Sequence, residues 1–213
     1  MRKRIILMVL GLLAAVSSYA QPAMAATTFP ATTVQPCCTN VYYDGASGAR
    51  AWGQNGNGQL GDGTTTDRNT PVTVNNLSGV KTLASGWDHS LALKEDGTVW
   101  AWGNNSYGQL GNGTTTDSHT PVQVSNLSGV KAIAAGYYHS LALKTDGTVS
   151  AWGDNYYGQL GNGSTTSSTT PVRVSNLGNV KAIAARGYQS LAKVLVPPSV
   201  CCAAYPADNA GVG

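Results

Sequence analysis

The sequence predicts an all-β fold assembled from repeated units, and three observations support this. Glycine contributes 26 of the 213 residues, nearly double its average share, whereas charged side chains make up only 11%. The chain keeps 42% hydrophobic residues, enough to form a core. A segment that begins at Ala51 recurs without a gap at Ala101 and Ala151. This combination is typical of short strands joined by tight turns and excludes a helical bundle.

Within one unit the local pattern predicts four short strands. Residues 139–144 alternate between polar and apolar side chains, and the Asp-Gly pair after them indicates a hairpin turn into a strand at 148–153. Residues 121–125 predict a strand that starts at a proline, and residues 130–135 predict the fourth. Four strands in a unit of about 50 residues are typical of a β-propeller blade. We therefore expect three four-stranded blades, as a partial propeller or an incomplete ring.

A family resemblance is carried by the repeated residues. Each unit follows the pattern A-W-G-x-N-x-x-G-Q-L-G-x-G, then P-V-x-V, and two units continue into V-K-x-[LI]-A-x-G-x-x-H-S-L-A-L-K-x-D-G-T-V-x-A-W-G. This pattern, over residues 51–192, resembles the regulator of chromosome condensation repeat. The resemblance implies a propeller, usually of seven blades, with a loop-rich binding surface and no shared reaction. Members include a guanine-nucleotide exchange factor for a nuclear GTPase, a plant ultraviolet-B photoreceptor and secreted bacterial inhibitors of β-lactamases.

Residues 1–25 predict a secretory signal peptide. Basic residues at 2–4 precede an apolar run at 5–16, and a small-x-small cleavage pattern ends at Ala25. The run is shorter than the ~20 residues that a membrane-spanning helix needs. We therefore expect a secreted, periplasmic or cell-surface protein with no membrane association after cleavage. Without the leader the basic and acidic side chains balance, which argues against nucleic acid as a partner.

The flanks differ from the repeats. Residues 26–50 contain Thr, Pro and Cys, and a strand with an Asp-Gly turn at 41–45 indicates part of a blade. The three repeats extend over residues 51–193, and residues 194–213 predict an irregular tail. The pattern decays after residue 185, which a capping unit and a truncated or frameshifted reading frame explain equally well. Three blades leave open end faces, so association of copies is a further expectation.

Four cysteines flank the repeats in two adjacent pairs. The candidates for disulfide bonds are Cys37, Cys38, Cys201 and Cys202. An exported protein meets an oxidising compartment, so we expect these residues to pair. Adjacent cysteines rarely bridge each other, and the bonds would therefore join two ends of one chain or two chains. The spacing does not match a structural zinc site, and we expect no metal.

Candidate catalytic groups are scarce. Glu95 is the sole glutamate, so a glycosidase with paired carboxylates would need aspartates alone. The glycine-rich stretches lack the Gly-Lys-Ser/Thr ending of a phosphate-binding loop. We therefore predict a protein that is not an enzyme, with no catalytic residues and no cofactor.

Positions that recur in register with the fold are interpreted as structural. His89 and His139 precede the same Ser-Leu-Ala-Leu stretch in two units. We expect both histidines to hydrogen-bond the backbone of a neighbouring blade. The other predicted structural positions are Trp52, Trp102, Trp152, Gln59, Gln109 and Gln159.

Positions that differ between units are free to serve recognition. Several carry Tyr or Trp in predicted loops, and these residues are favoured at recognition surfaces. The candidate binding residues are Trp87, Tyr107, Tyr137, Tyr138, Tyr156, Tyr157, Arg68 and His119. The alternative interpretation is that the aromatic side chains pack between blades.

Together these patterns predict a secreted, non-enzymatic repeat scaffold that binds a protein partner through its loops. An inhibitor that covers the cleft of a partner enzyme is the concrete form that the family resemblance implies. Two alternatives stay open: an extracellular carbohydrate-binding or hydrolytic propeller module, and a structural subunit of a surface assembly.

Overall fold

A computed structural model describes the backbone of residues 39–43 and the whole of residues 48–195. All regular structure in these residues is β, with thirteen strands in four antiparallel sheets. None of the described segments is a helix long and apolar enough to cross a bilayer. The predicted leader, the four cysteines and nearly all of the predicted tail lie outside the described residues, and the hypotheses about them stay predictions.

The strands form the sheets in chain order. The first sheet contains β1 (Thr39–Tyr43), β2 (Ala49–Gly53) and β3 (Arg68–Thr73). The second contains β4 (Val80–Ser85), β5 (His89–Lys94), β6 (Val99–Gly103) and β7 (Ser118–Gln123). The third contains β8 (Val130–Ala135), β9 (His139–Lys144), β10 (Val149–Gly153) and β11 (Ser168–Arg173). The fourth contains β12 (Val180–Arg186) and β13 (Gln189–Val194).

The sequence unit and the sheet are out of phase. The unit that begins at Ala51 runs from β2 through β3 into β4 and β5, so it ends one sheet and begins the next. The predicted propeller-type fold is confirmed as a partial propeller. Within the described residues its blades are two complete four-stranded sheets, flanked by one sheet of three strands and one of two.

The predicted strands agree with the structure except at the outer edge. The strands predicted at 130–135 and 139–144 coincide with β8 and β9. The Asp-Gly turn is present, with Gly147 at a φ of 82°, a conformation that glycine adopts without strain. Pro121 lies inside β7 rather than at the start of a strand. Because β7 is an edge strand whose pairing with β6 is irregular there, the proline omits no regular ladder bond.

The core lies between adjacent sheets. Trp152 of the third sheet packs in one cluster with Leu91 of β5 and with Leu110, which lies in the loop between β6 and β7 of the second sheet. The indole Nε1 of Trp152 donates to the carbonyl oxygen of Gln109 at 2.9 Å, and Trp102 makes the equivalent bond one unit earlier. Both tryptophans are fully buried. The equivalent Trp52, in the first described sheet, is half-buried.

The two histidines also link neighbouring sheets. Nε2 of His89 lies 3.0 Å from Oγ of Ser140, and the same distance separates His139 from Ser190. The hydroxyl of Ser140 donates to the carbonyl of Gln109, so its single proton is committed and Nε2 of His89 is the donor. The acceptor of Nε2 is therefore a serine hydroxyl in both pairs. A backbone hydrogen bond with Tyr137 of the neighbouring sheet also acts on His89, as the sequence suggested, and it raises the pKa of that histidine against the effect of burial. Burial lowers the pKa of His89 to about 3 and that of His139 to about 4.

Candidate binding surface

Three hairpin turns of neighbouring sheets carry aromatic side chains. The turn between β4 and β5 carries Trp87, the turn between β8 and β9 carries Tyr137 and Tyr138, and the turn between β12 and β13 carries Tyr188. The amide of Trp87 donates to the carbonyl of Tyr137 at 3.3 Å, and the amide of Tyr137 donates to the carbonyl of Gly187 at 2.8 Å. Backbone hydrogen bonds therefore hold the three turns side by side.

Two longer loops add three tyrosines. The loop between β6 and β7 carries Tyr107, and the loop between β10 and β11 carries Tyr156 and Tyr157. The side-chain oxygen of Gln109 accepts from the amide of Tyr107 at 2.9 Å, and Gln159 accepts from the amide of Tyr157 at the same distance. These predicted structural glutamines fix the backbone from which the tyrosines project.

A buried asparagine closes each long loop. Nδ2 of Asn155 donates to the carbonyls of Ser164 and Thr166 at 3.0 Å each. Its Oδ1 accepts from the amide of Leu160 at 2.9 Å. The equivalent asparagines of the other two units make the same contacts. The loop shape is thus set by contacts that do not involve the tyrosine rings.

The aromatic side chains form one continuous surface, which we call the aromatic belt. Its members are Trp87, Tyr107, Tyr137, Tyr138, Tyr156, Tyr157 and Tyr188. Tyr188 joins the two halves, since its ring centroid lies 5.5 Å from that of Tyr137 and 5.0 Å from that of Tyr157. The rings contact each other across neighbouring sheets and still face solvent, with 73% of Tyr156 exposed.

An open cleft of about 360 Å³ lies within the aromatic belt. It is lined by Tyr107, Tyr138, Tyr156, Tyr157, Tyr188, Asp154, Thr165 and Ser167. Asp154 is only 6% exposed. Its carboxylate accepts from Nε2 of Gln159 at 2.7 Å and from the amide of Tyr156 at 3.2 Å. The cleft therefore combines aromatic walls with one carboxylate that hydrogen bonds fix in place.

Burial and nearby acidic groups both shift the pKa values on this surface. Burial raises the pKa of Tyr138, and the carboxylates of Asp88 and Asp154 raise it further because they oppose a tyrosinate charge. Burial also raises the pKa of Asp88, against the effect of a hydrogen bond from Asn57. A field that disfavours an added negative charge favours a cation. Among the described residues no three His, Cys, Asp or Glu side chains gather as a metal site needs.

The repeats match a known family model. The regulator of chromosome condensation (RCC1) repeat model matches residues 51–93, 96–143 and 146–192. The chain belongs to the RCC1 repeat family. A second model of the same repeat matches residues 80–109 and 130–159 of this RCC1-repeat chain.

Solved RCC1-repeat structures share the fold. Yeast RCC1 (Prp20) bound to Kap60 matches with a TM-score of 0.62 at 25% identity, over 74% of this chain and 40% of that one. Prp20p from Saccharomyces cerevisiae, described with its binding to Gsp1p and histones, gives 0.64 at 25% identity, over 76% and 44%. Human WBSCR16 gives 0.63 at 26% identity, over 70% and 41%. The RCC1-repeat chain spans about two fifths of the length of each of these proteins.

The structure brings six of the eight predicted binding residues into the belt. They are Trp87, Tyr107, Tyr137, Tyr138, Tyr156 and Tyr157. Arg68 lies instead at the start of β3, where its guanidinium forms an ion pair with Asp62 at 2.7 Å. His119 is exposed on β7, and its ring lies against Gly58. A part for Arg68 and His119 in binding stays a prediction.

Sequence reasoning left four cleft-lining residues out of the predicted set, namely Tyr188, Asp154, Thr165 and Ser167. Tyr188 occupies the variable position of Asp88 and Tyr138, so the argument that selected Tyr138 applies to it as well. Asp154 takes the place of Asn104 in the preceding unit. The available signal was a charge at this position in one unit alone, since the other two units carry the neutral Gln54 and Asn104 there.

Proposed function

We propose that this RCC1-repeat chain is an exported, non-enzymatic scaffold that binds a protein partner through the aromatic belt. The observation that carries the proposal is exposure: Tyr107 is 46% exposed and Tyr157 67% exposed. Large aromatic side chains bury much surface for little loss of conformational freedom, so they dominate the energetics of protein interfaces. Their concentration on one surface favours recognition over a purely structural role.

The belt is organised before a partner arrives. Backbone hydrogen bonds align its turns, and Gln109 and Gln159 hold the loop amides that precede the exposed rings. A preorganised surface loses less entropy when it binds, so more of the contact energy remains as affinity. This argument supports a docking function that needs no folding of the belt.

The relatives support a protein as the class of partner. The Prp20 structures are described with Kap60, Gsp1p and histones, all of which are proteins. Because the predicted leader is expected to direct export, we propose a partner outside the cytoplasm. Inhibition of an extracellular enzyme is the form of binding that we propose to test first.

The test is quantitative capture of secreted proteins by the immobilised full chain. Three baits are compared: the wild type, the double variant Tyr156→Ala/Tyr157→Ala, and Leu191→Ala, which removes a side chain that is 60% exposed and belongs to β13. We expect a protein that the wild type and Leu191→Ala retain equally. Its affinity for the double variant, measured by calorimetry, should fall at least about tenfold. A captured enzyme is then assayed for inhibition.

Equal retention by all three baits would contradict the proposal. The proposal would also be contradicted if the wild-type bait captures no protein and the chain binds to a glycan array. That outcome would support the carbohydrate-binding alternative.

A further inference from the structure

We infer that the cleft in the aromatic belt binds an alkylammonium group, namely a lysine or methylated lysine side chain of the protein partner. The inference rests on the proposed function and specifies the chemistry of the group that the cleft receives. Five tyrosine rings line a space of about 360 Å³. Tyrosine faces attract cations, and pockets walled by aromatic rings are suited to substituted ammonium groups.

The repeat supplies an internal control for the charge in this cleft. Oδ1 of Asn104 accepts from Nε2 of Gln109 at 2.7 Å, and from the amide two residues further along the chain at 3.2 Å. Asp154 makes the same two bonds, with Gln159 and with the amide two residues on, at the same distances, and it also accepts from Oγ of Ser167 at 3.5 Å. A neutral amide therefore suffices for the two bonds that both units share. The negative charge of Asp154 is not needed for those two bonds, and it occurs where the cleft lies.

The charge of Asp154 is not matched by a cation in the described part of the chain. The ion pairs there join Arg68 to Asp62 and Lys94 to Asp96. Arg186 lines a neighbouring depression beside Tyr137 and Tyr188 rather than the cleft itself. A carboxylate that is 94% buried and unpaired is costly, and a cation that enters the cleft recovers part of that cost.

The geometry of Asp154 favours an ammonium over other cations. Oδ1 accepts from the amide of Tyr156 and from Oγ of Ser167, and Oδ2 accepts from Gln159, so a bidentate pair with a guanidinium would have to displace a bond at Oδ1 whereas Oδ2 keeps a free lone pair. A divalent metal needs several oxygen ligands, whereas the cleft offers one carboxylate. An ammonium acts as a compact charge without a planar fork, and aromatic walls can surround it.

The first experiment titrates choline into the full chain and follows binding by calorimetry and by the NMR signals of the tyrosine rings. The neutral isostere 3,3-dimethylbutan-1-ol is titrated in parallel. We expect choline to bind at least about tenfold more tightly than the alcohol. Asp154→Asn should reduce this difference, because the attraction of the tyrosine faces alone remains. Asp146→Asn, which removes an exposed turn carboxylate, should leave it unchanged. Unaltered near-ultraviolet circular dichroism of Asp154→Asn, expected from the precedent of Asn104, shows that the loop is intact.

A second arm distinguishes a partner side chain from a free ammonium compound. Peptides that differ only in carrying trimethyllysine, lysine or norleucine at one position are titrated into the same variants. Binding of both lysine forms over norleucine, reduced in Asp154→Asn, is the expected result. Equal affinity for choline and its isostere, no effect of Asp154→Asn, or binding of choline without any peptide preference would each overturn the inference. If the captured partner binds Asp154→Asn normally but not Tyr156→Ala/Tyr157→Ala, the inference fails and the proposed function stands.

Discussion

The third sheet and the fourth sheet use the same repeat positions, yet these positions differ in burial. Leu91 and Leu141 are 0% and 2% exposed, whereas Leu191, at the same position of the next unit, is 60% exposed. β5 and β9 each lie between two strands, and β13 pairs with β12 alone among the described residues. The comparison shows that the strands around a repeat position decide whether it is buried. Identical residues at equivalent positions therefore contribute unequally to the free energy of unfolding.

The largest difference between the two regions is expected for the leucines. Leu141→Ala removes buried methyl groups and leaves a cavity, so we expect it to lower the free energy of unfolding by about 2–5 kcal/mol. Leu191→Ala should change it by no more than about 0.5 kcal/mol. Urea unfolding followed by tryptophan fluorescence measures both. Equal losses would break the comparison, because they would show that β13 is covered by further residues or by another chain.

The histidines predict an acid-sensitive fold. An unfolded histidine titrates near 6.5, whereas folded His89 titrates at about 3 and His139 at about 4, so the unfolded state binds more protons between these values. Their contribution to stability is complete above pH 7 and is lost as the pH falls below 6.5. Each histidine contributes a slope that approaches about 1.4 kcal/mol per pH unit, and the slope from His139 ends sooner.

Unfolding midpoints in urea between pH 7.5 and pH 4.5 test this slope. His89→Gln introduces the residue that the third unit carries as Gln189, and its stability should depend less on pH than that of the wild type. A His89→Gln variant with the full acid dependence would assign the effect to carboxylates instead.

Ser140 and Ser190 extend the comparison, with smaller expected changes in the free energy of unfolding. Ser140→Ala leaves Nε2 of His89 without its buried acceptor and removes one of the two donors to the carbonyl of Gln109, at a cost of about 1–3 kcal/mol. Ser190 makes the equivalent bonds but is exposed, so water can replace its hydroxyl and Ser190→Ala should cost less. The free energies of unfolding of the two variants decide this, and a larger loss for Ser190→Ala would refute the ranking.

The smallest effect on stability is expected in the aromatic belt. The ring centroids of Tyr156 and Tyr157 lie 4.8 Å apart, and both side chains are largely exposed. Tyr156→Ala/Tyr157→Ala should therefore change the free energy of unfolding by about 1 kcal/mol or less. Thermal unfolding at neutral pH measures the difference. A loss as large as that of Leu141→Ala would place these rings in the core and remove the basis for a binding surface.

Local signals in the sequence predicted local structure well. Alternation followed by an Asp-Gly turn placed β9, and the apolar stretch before it placed β8. Local signals could not predict where one sheet ends and the next begins within the repeat, because this depends on which strands of successive units pair. The strand at β7 begins three residues before the predicted start, at a register irregularity that only its partner strand reveals.

The candidate site was predictable in its residue types but not in its assembly. Variation between units selected the belt tyrosines, and it selected Arg68 and His119 by the same rule. Only the alignment of turns from different sheets separates the two groups. The serine acceptor of His89 lies 51 residues away, one unit and one position further, so a search for equivalent polar residues in the next unit would have found it.

The central claim is that repeated contacts hold the fold while the non-repeated aromatic belt binds a partner. The most direct test is the affinity of the captured partner for Tyr156→Ala/Tyr157→Ala, measured with the free energy of unfolding of the same preparation. The account predicts an affinity at least about tenfold weaker with stability nearly unchanged. An affinity equal to that of the wild type, or a loss of binding that follows a loss of folding, would contradict it.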